Sequence, residues 1–484
     1  MSDRVTTSDE LEPSAKWWAM LGVGLGVLMF TLDTSIVNIA LPTLVRSFKT
    51  DFITIQWVVL SYLLVLNAFV LGAARFGDMV GKKPLYLGGL IVFTISSLLC
   101  GISPGVYWLI GFRALQGLGA VMISALGAAI VTEVFPRSER GRALGIIGAV
   151  VSLGIALGPT VGGFLIGFSD WRAIFLVNVP IGIFASFIVI RFVPTGSKNP
   201  NRQKFDWLGA GIMSVTLVSF AFGMTNGQNQ GFGSLLTVIL LALAAIGLAI
   251  FLWIESRIRQ PILDLSLFRN ISFSLGLLTG VLVFGVIAGL VFIMPFFLEI
   301  VLHYSTREVG LLLAVSPVLG GIIAPFSGYL SDRFGTRPIS LIGLVLMMIG
   351  CLLISTFNAQ MTQLDYIIRI APFGIGLGMF QSPNNSAILG EVPPERLGIA
   401  SGLLSLSRTL GQTAGLPLLA ALFTIITLTG TTGLDVTKAP VEHLVSGIQG
   451  TFRVAALVIL VAILLVVGAS RFTVQSPKFN RKAP

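Results

Sequence analysis

Three ionisable residues stand inside long apolar runs of this chain: Asp33, Arg113 and Arg408. A charge at such depth costs at least ~2.5 kcal/mol, so it is kept for a task or a partner. Counting the ~1.5 Å rise per helical residue from the ends of their runs puts Asp33 and Arg113 within one turn of each other in depth. A carboxylate and a guanidinium at one level pair directly or couple across a wet cavity. Desolvation favours the protonated acid, whereas a neighbouring guanidinium favours the carboxylate. A carboxyl group balanced between the two loads a proton from one side and releases it to the other as its hydration changes. Read structurally, the same residues are an ion pair holding two helices together. Arg408 fits a structural, cavity-lining or snorkelling role.

The elements that must position these groups are membrane helices. Of 484 residues, 55% are hydrophobic and 11% charged, and mean hydropathy is +0.93. The charges fall between apolar runs of roughly 18 residues or more, each long enough to cross a bilayer. About fourteen spans are expected, near 18–43, 53–74, 85–103, 106–133, 143–167, 174–193, 207–224, 234–254, 272–300, 309–330, 339–356, 366–390, 398–427 and 450–470. The fold class is therefore an all-α polytopic membrane protein. Its 55 glycines suit close helix packing in a membrane.

A duplication organises the spans. Ala74-Arg75-Phe76-Gly77-Asp78-Met79-Val80-Gly81-Lys82-Lys83 and Gly328-Tyr329-Leu330-Ser331-Asp332-Arg333-Phe334-Gly335-Thr336-Arg337 are two versions of one loop, offset by about 254 residues. Glu139-Arg140-x-Arg142 and Glu395-Arg396 repeat at nearly the same offset, as do Arg113 and Arg369. Six spans with short loops do not fill that offset; the pair at 207–224 and 234–254 does. The plan is a tail (1–17), a six-helix bundle (18–193), a linker with two extra helices (194–271), a second six-helix bundle (272–472) and a tail (473–484). The longest outer loop is expected over 429–447, with His443 inside it, as a flexible segment or a short hairpin or helix.

Several function classes fall away. Gly81-Lys82 lacks the spacing and the Ser/Thr of a phosphate-binding loop. Cys100 and Cys351 read as small buried hydrophobes. His303 and His443 make no metal pattern, so no metal and no catalytic residue is expected. With the N-terminus inside, about 22 of the 31 Lys and Arg residues fall on the cytoplasmic side. That places both termini in the cytoplasm and the chain in the inner (cytoplasmic) membrane. The net charge of +10 then reflects topology and anionic lipid rather than nucleic acid.

Leu32-Asp33-Thr34-Ser35-Ile36-Val37-Asn38-Ile39-Ala40-Leu41-Pro42, the Asp78 loop, Gly154-Ile155-Ala156-Leu157-Gly158-Pro159-Thr160-Val161-Gly162-Gly163 and Trp171-Arg172-Ala173-Ile174-Phe175-Leu176-Val177-Asn178-Val179-Pro180 occur in order. Together they resemble the major facilitator superfamily in its fourteen-span drug:proton antiporter branch. The resemblance implies two six-helix bundles related by a pseudo-twofold axis. It also implies proton-coupled antiport of lipophilic or amphipathic molecules by alternating access, with Asp33 and Arg113 coupling the proton. Asp78, Gly81, Lys82 and Lys83, with Asp332, Gly335 and Arg337, correspond to a conformational switch loop. Met79 stands where the family has Arg, so such a latch must draw on other basic residues. Gly154, Gly158, Pro159, Gly162 and Gly163 correspond to the antiporter motif, which in the family packs against a helix of the other half and seals the outer gate. Gly154, Gly158 and Gly162 share one helix face.

The substrate site is expected at the midplane between the halves, lined by apolar and aromatic groups with a few polar ones. The candidates are Asn38, Tyr62, Gln116, Met122, Phe292, Met379, Phe380, Gln381, Asn384 and Asn385. With one deep carboxylate and two arginines, neutral, zwitterionic or amphipathic lipophiles are preferred over dications. A dedicated exporter of one lipid, glycolipid or secondary metabolite is the alternative. The expected partners are membrane lipids, protons and the small substrate, with the chain a monomer. No cofactor is expected, the proton gradient being the drive, and an accessory periplasmic partner is left open.

Overall fold

The computed structural model describes residues 13–136, 139–194, 207–258, 265–392, 397–429 and 436–473. These residues form helices and connecting turns, with no strand among them. The first bundle comprises α1 (Pro13–Phe48), α2 (Phe52–Val80), α3 (Lys82–Gly101), α4 (Val106–Val134), α5 (Arg140–Phe168), the short α6 (Ala173–Leu176) and α7 (Asn178–Phe192). Next come α8 (Trp207–Gln230) and α9 (Leu235–Glu255). The second bundle comprises α10 (Ile271–Phe296), α11 (Thr306–Phe334), α12 (Thr336–Ile354), α13 (Gln363–Gly390), α14 (Leu397–Thr427) and α15 (Val441–Thr473). Twelve described segments are long and apolar enough to cross a membrane. Beyond these, α5 and α13 are 29 and 28 residues long and pack among them.

Capping residues set several starts. Asp51 accepts from the Thr54 amide at 2.6 Å, and Ser305/Glu308 and Thr362/Asp365 form capping boxes. All three starts lie at one end of the molecule, where the sequence places the outer face. The last helix departs from expectation. It begins at Val441, so Glu442 and His443 lie in its first turn rather than in a loop reaching 447. Pro440 precedes the helix and Glu442 complements its positive end. The His443 Nδ1 then sits 3.1 Å from the Thr427 carbonyl oxygen.

The two bundles are packed alike. In the first, α1 lies on α5 and α7, and α4 on α2 and α3. In the second, α10 lies on α14 and α15, and α13 on α11 and α12. The halves meet along two equivalent seams, α5 with α11 and α14 with α2. Of the inserted pair, α8 packs against both α2 and α14, covering the second seam. Large apolar side chains such as Leu235 and Phe187 face outward, as a lipid-contacting surface requires.

Candidate functional site

Asp33 is wholly buried, and among the described residues its polar partners come from its own half. Its Oδ2 accepts from Arg113 Nη1 at 2.5 Å, and its Oδ1 from Gln116 Nε2 at 2.9 Å and Asn178 Nδ2 at 3.0 Å. Arg113 also donates to the Gln116 Oε1 at 2.6 Å and to the Val58 carbonyl at 3.0 Å. Gln116 Nε2 donates to Ser97 Oγ at 2.8 Å, and the guanidinium lies 4.3 Å from the Tyr62 ring centroid. Helices α1, α2, α3, α4 and α7 thus converge on one charged knot. Both carboxylate oxygens accept hydrogen bonds and the guanidinium donates through Nε and Nη1, the kind of support a buried ion pair needs, while Asn178 Oδ1 is left without a partner among the described residues. The depth estimate is met by direct pairing rather than by coupling across water.

The next residue leads out of the knot. Thr34 lines a central cavity of about 190 Å³ between the two halves. The Tyr62 hydroxyl and Thr34 Oγ1 are 3.5 Å apart, so the ring that covers Arg113 touches the cavity wall. Asn38 and Ser35 of α1, Ile155 of α5, Phe284 of α10, Gln381 of α13, and Arg408 and Gln412 of α14 share that wall. Arg408 therefore lines the cavity, which decides among its three readings.

Among the expected substrate contacts, the structure puts Asn38 and Gln381 on the cavity wall and places the others elsewhere. Gln116 is consumed by the Asp33 knot, and Tyr62 is stacked on Arg113. Met122 fills the contact between α3 and α4 against Gly89, and Phe380 is buried beside Gly343 of α12. Asn384 is buried against α10 near Gly276. Asn385, partly buried on α13, is not among the cavity-lining residues. Phe292 belongs to a cluster with Phe52, Phe296 and Phe423 that ties the start of α2 to the second half.

The glycine motif divides its work. A Cβ at Gly154 would meet Thr31, one at Gly158 would lie 1.8 Å from Ser35 Oγ, and one at Gly162 would meet Ile36 and Ile39. That stripe therefore packs on α1 of its own half, and Ser35 Oγ donates to the Gly154 carbonyl at 3.2 Å. This corrects the expectation that the whole motif faces the other half. Gly163 and Pro159 do face it: Gly163 abuts the Thr306 carbonyl, and Gly310 abuts the Pro159 carbonyl. The reason is azimuth, since Gly163 lies one residue round the helix from Gly162. At the same end Arg307 donates to the Gly167 carbonyl at 3.2 Å, and Arg46 pairs with Glu299 at 2.8 Å across the halves.

The duplicated loop adopts one backbone shape twice. Gly81 has φ 110° and ψ 137°, and Gly335 has φ 92° and ψ 152°, a region open only to glycine. Each amide closes the preceding helix, Gly81 on the Gly77 carbonyl and Gly335 on the Ser331 carbonyl. Lys82 pairs with Glu133, Lys83 donates to the Ile190 carbonyl, and Arg337 to the Val466 carbonyl. These bonds all stay within one half. The side chains of Asp78 and Asp332 lie outside the described residues, as do those of Arg140 and Arg142.

Several contributors escaped the sequence reading, among them Ser97 in the knot and Phe284 and Gln412 on the cavity wall. Asn178 stands in a quoted motif, and a lone amide within an apolar run was its signal. Gly411 and Gly415 sit at the repeat offset from Gly154 and Gly158. They pack on Val281 and Gly285 of α10 as the first stripe packs on α1.

Comparison with known proteins gives a consistent answer. The sequence profile described as Major Facilitator Superfamily matches residues 23–416 and 276–484. The multidrug resistance protein Stp of Mycobacterium tuberculosis is 35% identical over 83% of this chain and 75% of its own length. The riboflavin transporter RibZ of Clostridioides difficile is 35% identical over 84% of this chain and 88% of its own. Among solved structures, an inward-facing, unoccupied bacterial homologue of the human lysosomal transporter Spinster superposes with a TM-score of 0.69. Its identity is 15%, over 96% of this chain and 100% of that one.

Proposed function

Because the chain belongs to the major facilitator superfamily, and is a multi-pass membrane transporter, we propose that it exports small lipophilic or amphipathic molecules in exchange for protons. The observation that carries this reading is the buried Asp33 knot, one residue from the cavity wall. When Asp33 is a carboxylate, Arg113 holds α1 against α4. Protonation removes that attraction and leaves the guanidinium with Gln116 and the Val58 carbonyl. Any shift of α1 then reaches two places. It moves Thr34 and Asn38 on the cavity wall, and through Ser35 it moves α5, which packs on the opposite half. Loading of the proton and release of the ligand are thereby linked through one helix.

In this reading both termini lie in the cytoplasm and the chain sits in the cytoplasmic membrane. The end held by Arg46–Glu299, Arg307 and the Phe52 cluster is the closed outer gate. The Gly81 and Gly335 loops, with Asp78, Lys82, Lys83, Asp332 and Arg337, act as the cytoplasmic switch. The relative named as a multidrug resistance protein supports a broad substrate range. The relative named as a riboflavin transporter supports the alternative, a dedicated exporter of one product.

The test is dye uptake into everted vesicles under an imposed proton gradient, comparing wild type with Asp33→Asn. The amide keeps the shape of the knot and removes its titration. Gradient-driven uptake is expected to vanish while ligand binding persists. Full uptake by Asp33→Asn ends the coupling assignment, and a response to one compound alone from a broad panel selects the dedicated exporter.

A further inference from the structure

The cavity has an unbalanced charge. Arg408 is the one ionic residue among the described groups that line it. Its guanidinium lies 4.8 Å from the Phe284 ring centroid, and its buried Nε has no hydrogen-bond partner among the described residues. The contrast with Arg113 is direct, since that guanidinium has a carboxylate, an amide oxygen and a backbone carbonyl as acceptors. Asp33 cannot serve Arg408, because it is fully buried inside the first half and already paired. Among the described lining residues no carboxylate answers this cation, and a buried cation without a counter-charge demands one.

Resting on the exporter reading, we propose that the transported ligand supplies that acceptor: the cavity selects amphipathic organic anions, and Arg408 binds their oxyanion group. A guanidinium presents a planar fork of donors matched to a carboxylate. Gln412 lies one turn from Arg408 on the same face of α14, and Gln381 faces the cavity from α13, so amide donors share the wall with the charge. Leu63, Ile287 and Leu377 give the apolar body of the ligand its contact surface. Among the described residues that line it, the outer pocket, of about 810 Å³, sets Lys49 and Lys438 against Asp51, Arg46 being paired with Glu299. The Asp51 carboxylate is also occupied, capping α2 through the Thr54 amide and hydroxyl.

The experiment uses the full-length chain in nanodiscs and three fluorescent probes on one dansyl-undecyl frame. One ends in a carboxylate, one in its methyl ester and one in a trimethylammonium group. Binding is measured by dansyl emission, with partitioning into empty nanodiscs subtracted. Wild type is expected to bind the carboxylate about tenfold more tightly than the ester, the worth of one charged hydrogen-bonded pair. The trimethylammonium probe is expected to bind weakest. Arg408→Gln should erase the preference while leaving ester binding in place, and Arg408→Lys should keep part of it. Equal binding of the carboxylate and the ester by wild type overturns the proposal without reference to any variant. So does a preference that survives Arg408→Gln. The two readings fail separately. Carboxylate selectivity without gradient-driven transport refutes proton-coupled export and leaves the anion site standing. Gradient-driven transport of the ester or the ammonium probe, with no preference for the carboxylate, does the reverse.

Discussion

Arg113 and Arg408 are both arginines in the middle of long apolar helices, one in each bundle, and their surroundings differ. Arg113 is neutralised within the protein by Asp33, with Gln116, Asn178 and Ser97 completing the network. Arg408 looks into the cavity with an aromatic face for company. The backbone around them is duplicated, in helix packing, in the glycine stripes and in the Gly81 and Gly335 turns. The polar chemistry is not. At the repeat offset Arg113 corresponds to Arg369, which donates to the Thr356 carbonyl near a helix end, and Asp33 falls near Gly289. Duplication has preserved the packing scaffold, while the polar groups differ: one half seals a carboxylate–guanidinium pair and the other leaves Arg408 on the cavity wall.

The largest effect that tests this contrast is on stability. Arg113→Met strands the Asp33 carboxylate and is expected to cost about 3–5 kcal/mol in thermal or denaturant unfolding of the purified chain. Adding Asp33→Asn should recover most of that loss. Arg408→Met removes an uncompensated cation and is expected to leave stability unchanged or raised. If the two arginine variants were equally destabilised, the distinction between an internally paired and a ligand-directed arginine would be lost.

A smaller effect tests the duplication itself. Gly158→Val and Gly415→Val each force a side chain into a neighbouring helix, with Ser35 Oγ at 1.8 Å and Gly285 Cα at 2.2 Å from the new Cβ. Each is expected to cost about 1–3 kcal/mol by overpacking. Gly24→Val, whose Cβ meets nothing within 4 Å, is the silent control. A large asymmetry between the first two in folded yield and melting temperature would break the scaffold equivalence.

The smallest effect concerns the contact between the halves. Glu299 is buried, but the Arg46 side chain is 59% exposed, so screening limits their pair to about 0–1 kcal/mol. Arg46→Ala is therefore expected to shift the outer-end distance distribution, read by spin labels on α1 and α11, by a modest fraction without unfolding. A complete opening would mean that this pair, rather than the α5–α11 glycine contact, holds the gate.

Much of this was legible in the chain. Hydropathy placed the helices to within a few residues over most of their ends, because the cost of exposing polar backbone and charge to lipid is local. It set the start of the last span at 450, whereas the helix begins at Val441, because the polar residues of its first turns carry no apolar signal. The repeat offset gave the two bundles, and helical rise gave the common depth of Asp33 and Arg113.

Azimuth was not legible. Depth says nothing of which way a side chain points around its helix, and that depends on residues from distant segments packing against it. Thus Gln116 and Tyr62 turned from candidate ligand contacts into partners of Asp33 and Arg113, and the glycine motif split between α1 and α11. By itself the sequence determined a membrane-spanning, duplicated chain with a charge pair at one level. Only the tertiary structure decided that the pair is sealed within one bundle while Arg408 faces the cavity, because counter-charges are assigned by three-dimensional packing and not by spacing along the chain.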